Sequence, residues 1–175
     1  MKQLITLISL FVSLNLFGQA KTNSTGSVEN LVKQVNDYAQ LVINKDTIKM
    51  VEKMYPKLVS MAGGREKVIE MTCYMYAKLA SQGMSIDSVK FLKPNPIIET
   101  EDEFQTTLTQ LLLMTVPAGK LFCKSTLIAI SPDKGINWYF LDPSGHTLEG
   151  MRTDYPNLSE KLIIDPPVEP VLLRK

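Results

Sequence analysis

The stretch from Phe104 to Leu141 constrains the fold most, because it reads as three consecutive β-strands joined by short turns. The strands are expected at Phe104–Val116, Leu121–Ile130 and Ile136–Leu141, separated by Pro117-Ala118-Gly119 and by Ser131-Pro132-Asp133-Lys134-Gly135. In the second turn Pro and Asp favour a type I geometry, and Gly supplies the positive φ that follows. The first strand alternates at its start, with Phe104, Leu108 and Leu112 on one side and Gln105, Thr107 and Thr109 on the other. From Leu111 to Met114 the alternation gives way to an apolar run, which predicts cover on both faces of that half. A crossing segment or a partner subunit would provide it.

Upstream, the apolar spacing is helical. Val28–Ile43 forms one stripe, with Ser27 and Asn30 suited to its start. A second helix is expected from Ile48 towards Met61, either kinked or divided at Pro56. A third spans Arg65–Ser81 and stops at Gly83. Its apolar residues occupy so wide an arc that enclosure by both the sheet and the other helices is predicted. Ser88–Lys93 reads as a further strand that Pro94 and Pro96 confine to an edge. Beyond the meander, Thr147–Tyr155 is expected to be helical, and residues 166–175, with Pro166, Pro167 and Pro170, an extended tail.

Lys2, the largely apolar run Leu4–Phe17, and Gly18-Gln19-Ala20 have the form of a secretory signal cut after Ala20. The run is shorter than the roughly 18 residues a bilayer span needs, so no membrane insertion is expected after cleavage. A periplasmic or secreted location follows. Residues 21–27 read as a disordered lead-in, and 28–165 as a single domain. The chain of 175 residues carries 19 Lys and Arg against 18 Asp and Glu, of which residues 1–20 hold only Lys2. A balanced charge with no basic cluster argues against nucleic acid as a partner.

Helices first and an antiparallel sheet after is the order of an α+β domain with helices covering one sheet face. The helix ending near Asn44, Tyr55-Pro56 with Leu58-Val59 leading to Gly63-Gly64, Gly83, and the stretch from Ser131 to Phe140 carry a resemblance. Over roughly residues 28–165 the chain resembles uncharacterised secreted bacterial members of the nuclear transport factor 2-like superfamily. That resemblance implies helices on the concave face of a bent sheet, a cone-shaped cavity, and a homodimer through the sheet's outer face. It implies no activity, because that fold serves many.

Catalytic motifs are absent from the sequence: no G-x-S-x-G elbow, P-loop or H-E-x-x-H occurs. His146 is the one histidine and lies in a turn, so neither a metal site nor a cofactor is expected. Glu99, Glu101, Asp102 and Glu103 lack the spacing that wraps a calcium ion and read as a solvated turn. Tyr38, Tyr55, Tyr76, Phe104 and Trp138 are the pocket candidates, since aromatic rings with polar tips orient small apolar ligands. The same residues would equally fill a core. Cys73 and Cys123 either form a bridge or remain buried thiols.

Two functions stand side by side. One is non-catalytic binding of a small apolar ligand or a protein partner in the cavity. The other is an isomerase-, dehydratase- or cyclase-type enzyme using a cavity Tyr, or an Asp at Asp37, Asp87 or Asp142, to move a proton. A third possibility makes Leu111–Met114 an oligomer face.

Overall fold

The computed structural model of the chain describes residues 19–173. Most of the expected signal peptide lies outside them. The architecture is α+β, with helices preceding an antiparallel sheet.

Helix α1 (Gln19–Asn44) includes residues 21–27, expected as a lead-in, and already at Ser27 it is buried against the turn at Gly135. It ends in a Schellman arrangement. Lys45 has φ 58° and its N–H meets the Val42 carbonyl, while the Asp46 N–H reaches Leu41. Asp46 then caps α2 (Thr47–Lys53), its carboxylate accepting the Lys49 N–H at 3.2 Å. Pro56 divides rather than kinks the next segment, standing at the first position of α3 (Pro56–Met61). Between them Tyr55 donates its N–H to the Phe140 carbonyl at 2.9 Å. Gly63 and Gly64 turn the chain into α4 (Arg65–Ser81).

Only one stripe of α4 is buried, Val68, Thr72 and Tyr76, spaced one turn apart. The expected enclosure over a wide arc does not occur: Met71, Tyr74 and Met75 are exposed. The helix packs on α2 and α3, and Tyr76 donates its hydroxyl to the Val42 carbonyl.

The sheet is built on the hairpin of β3 (Phe104–Val116) and β4 (Gly119–Ser131), paired over their whole length around the two-residue turn Pro117-Ala118. On the outer side of β3 lie β1 (Ser85–Phe91), bulged at Asp87, and β2 (Ile98–Glu99). On the outer side of β4 lie β5 (Tyr139–Leu141) and β6 (Val171–Leu173). Strand β5 starts later than the expected Ile136 because side chains of α1 take its backbone groups. Asn30 and Gln34 donate to the Ile136 carbonyl, and Gln34 accepts the Trp138 N–H. The tail expected to be merely extended contributes β6.

Alternation along β4 sorts the core into two layers. Leu127 and Ala129, with Leu108, Trp138 and Phe140, pack under Leu31 and Val35 of α1. Ile128 and Ile130, with Leu141, pack against Met151 of α5 (Leu148–Asp154) and against Tyr155, Leu158 and Leu162. The half of the sheet near Phe104 is therefore covered on both faces by the chain itself. That includes the outer face on which a homodimer was expected.

Burial along β3 runs opposite to the sequence expectation. Gln105, Thr106, Thr107 and Leu108 are buried, whereas Gln110–Val116, with the apolar run Leu111–Met114, is only half-buried. The cover comes from α1 and residues 148–162, which reach the polar-looking half. Position in the sheet, not local hydrophobicity, decides which half closes.

Candidate functional site

The five aromatic candidates do not converge. Tyr38, Phe104 and Trp138 belong to the layer under α1, Tyr55 to the opposite layer, and Tyr76 to the contact of α4 with α1 and α2. The Tyr38 ring packs on Phe140 at 4.8 Å. Burial, reinforced by the charges of Tyr76 and Asp142, pushes its phenol far above the ordinary range. Trp138 is fully buried, and its indole N–H has no hydrogen-bond partner among the described residues.

The three carboxylates considered as bases are all exposed. Asp87 is held by Lys120 at 2.9 Å, by Thr115 and by Ser85, which together keep its carboxyl below the usual range. Asp142 accepts the Ser144 N–H at 2.7 Å. His146 is exposed as well. Cys73 and Cys123 are free rather than bridged. Cys73 follows Thr72 on the helix and so points away from the buried stripe, its sulfur 3.4 Å from Thr47 Oγ1. Cys123 is half-buried on β4.

One polar cluster was not foreseen as such. Glu101 and Asp102 are exposed, as a solvated turn should be, but Glu103 is buried. Its Oε1 accepts from Gln105 Nε2 and Asn157 Nδ2, each at 2.6 Å. Gln105 also donates to the Asn157 carbonyl and accepts the Ser159 N–H at 2.8 Å, and Asn157 reaches the Tyr55 hydroxyl at 3.0 Å. Partial burial raises the Tyr55 phenol, with the Asn157 bond opposing and the Glu103 charge assisting. These satisfied groups fasten the C-terminal segment to β3, the ordinary task of a buried polar network. The signal in the sequence was Glu103-Phe104-Gln105, polar residues on the same side of a strand start.

A groove of about 290 Å³ lies elsewhere, beside the middle of β4. Lys124, Thr126, Asp142, Pro143, Asp165 and Pro167 are among the residues lining it. Lys124 pairs with Asp165 at 3.2 Å, and the Asp165 N–H donates to Thr126 Oγ1 at 3.1 Å. Its volume is at the low end for ligand clefts, which run from about 300 Å³ upward. Among the described residues, no group of three or more His, Cys, Asp or Glu side chains is placed to hold a metal ion. No helix among them is long and apolar enough to cross a membrane. No protein-family model matches the chain, and no curated protein sequence matches it significantly.

Proposed function

We propose that the chain is a non-catalytic binding module that holds a protein partner on the far half of the β3–β4 hairpin. One observation carries this reading. The most apolar run of β3, Leu111–Met114, is the half the chain leaves only partly covered. Leu121 and Phe122 opposite it are likewise half-buried, and the adjoining Val171, Leu172 and Leu173 are exposed. By the two-residue period, Leu111, Leu113, Phe122, Val171 and Leu173 share one face of the hairpin, and Leu112, Met114, Leu121 and Leu172 the other. The first group, which includes Leu113, is an open apolar patch of the kind that marks contact with another macromolecule. The exposed positions of Asp37, Asp87 and Asp142 favour binding over proton transfer, and the separated aromatics favour a protein over a small apolar ligand.

Export through residues 1–20 is part of the proposal. So is kinship with the nuclear transport factor 2-like superfamily, which the order of helices before an antiparallel sheet supports.

The test is a benzoylphenylalanine placed at Leu113 and photolysed in the cell that makes the protein. A discrete crosslinked polypeptide is expected, and its mass tells a second copy from another protein. An adduct pattern no stronger than that from the same group at exposed Glu66 refutes the reading.

A further inference from the structure

The turn between β3 and β4 has two residues, so Val116 and Gly119 close the hairpin as a hydrogen-bonded pair. Along β4, Gly119, Leu121 and every second residue to Ser131 then direct their backbone N–H and C=O to β3. The residues between them, Lys120, Phe122, Lys124, Thr126, Ile128 and Ile130, direct theirs to the opposite edge. There Lys120 and Phe122 stand opposite Leu173 and Val171 of β6, and Ile128 and Ile130 opposite Leu141 and Tyr139 of β5. Among the described residues, Lys124, which is exposed, and Thr126, which is buried, have no strand opposite them.

The sequence explains the gap. The chain returns past this edge as Asp165-Pro166-Pro167-Val168-Glu169-Pro170, and proline has no N–H to give a ladder. The segment touches the edge through the Asp165 N–H, which goes to the Thr126 side chain rather than to its backbone. The groove of about 290 Å³ is the space left between.

We propose that this gap is a strand-addition site for an extended peptide segment of the protein partner, carrying a lysine or arginine. The inference rests on the binding reading above and names its chemistry. Two residues apart along a strand is about 6.8 Å, so the N–H and C=O groups of Lys124 and Thr126 match the repeat of an extended backbone. From Cys123 to Leu127 the opening is about 13 Å long by the same rise, enough for a segment of three to five residues. The charge of the occupant follows from the lining. Lys124 is neutralised by Asp165, which leaves Asp142 as the groove's carboxylate without an ion-pair partner among the described residues. Pro143, Pro166 and Pro167 supply an apolar wall. The site adjoins the open hairpin surface, because Leu111 is the register partner of Lys124.

The probe is acetyl-Thr-Val-Lys-Val-Thr-amide, titrated into the ¹⁵N-labelled protein. The Lys124 and Thr126 amides should show the largest shifts and slowed hydrogen exchange. The same peptide N-methylated at alternate residues should not bind, and Asp142→Asn should weaken binding about two- to fivefold, the range of an exposed ion pair. Unmoved Lys124 and Thr126 amides at millimolar peptide would overturn the proposal, as would equal binding of the N-methylated form. Concentration-dependent shifts of these amides without peptide would assign the edge to a second copy and also overturn it. If the group at Leu113 still crosslinks a partner, the strand-addition site fails alone. If it does not, the binding reading fails with it.

Discussion

Gly135 is where the docking of α1 can be measured. Its φ is 95°, and a β-carbon added there would stand 2.6 Å from Ser27 Cβ and 3.3 Å from Ser27 Cα. The Gly135→Ala variant therefore meets two penalties. Backbone strain at this φ costs about 1–3 kcal/mol, and forcing a methyl into an occupied contact costs about 1–3 kcal/mol more. Gly64 offers an internal control, with φ 96° and nothing within 4 Å of the added carbon. Gly64→Ala should show the strain alone. Ser27→Gly removes the opposing side chain at a cost of about 0.5 kcal/mol in helix propensity, plus its long bond to the Lys134 carbonyl at 3.4 Å. Combined with Gly135→Ala it should recover about 1–3 kcal/mol as a coupling energy. Urea unfolding of the four proteins and the parent measures all terms. For a chain of this size, Gly135→Ala should lower Tm by roughly 4–24 °C. A loss no larger than that of Gly64→Ala, with no coupling to Ser27, would refute the contact between α1 and the β4–β5 turn.

Lys45 closes α1 in the left-handed region at φ 58°, so Lys45→Gly should stabilise the fold by about 0.5–1 kcal/mol, read as a higher urea midpoint with an unchanged slope; a loss of stability would contradict the cap. Burial raises the phenols of Tyr38, Tyr76, Tyr55 and Tyr155 above their unfolded value. That stability is complete below about pH 10 and disappears as pH climbs through the folded values. Ultraviolet titration should thus show some tyrosines ionising only as the circular dichroism signal collapses, and ionisation of all six while the protein stays folded would count against it. A maleimide should label Cys73 quickly and Cys123 slowly, because Cys73 is exposed while burial pushes the Cys123 thiol up. An intact mass short by two hydrogens, with no labelling, would instead mean a bridge.

The hairpin was legible because its evidence is local. Alternation from Phe104, an apolar continuation and a proline-led turn place β3 at its observed limits. Pro56 and Gly83 were legible for the same reason, since each acts on its own backbone. The start of β5 was not, because Asn30 and Gln34, more than 100 residues away, claim the groups that would have extended the ladder. Strand β6 is three residues long and follows Pro170, with no periodicity to detect. That the pocket candidates lie in different layers has a further reason. Aromatic composition gives the number of rings available but not the layer each joins, and the layer is set by the two-residue period of β4 once its register is fixed.

The reversed burial of β3 links fold to function. A strand shaped by folding alone would bury Leu111–Met114 and expose Gln105–Thr107, because each leucine buried contributes about 1.5–3 kcal/mol and each buried polar side chain must find partners. Here Gln105, Thr106 and Thr107 are buried, and bonds to Glu103, Asn157, Ser159 and Asn95 satisfy them. The fold therefore accommodates polarity where its own segments converge and keeps apolar surface where they stop. Residues 148–162 cover the near half, and the prolines after Asp165 keep the chain from closing the β4 edge beside the far half. An isolated domain gains no stability from that division. A domain that receives a partner's strand on this edge gains, at one place, both an apolar platform and backbone groups that its own ladder does not use.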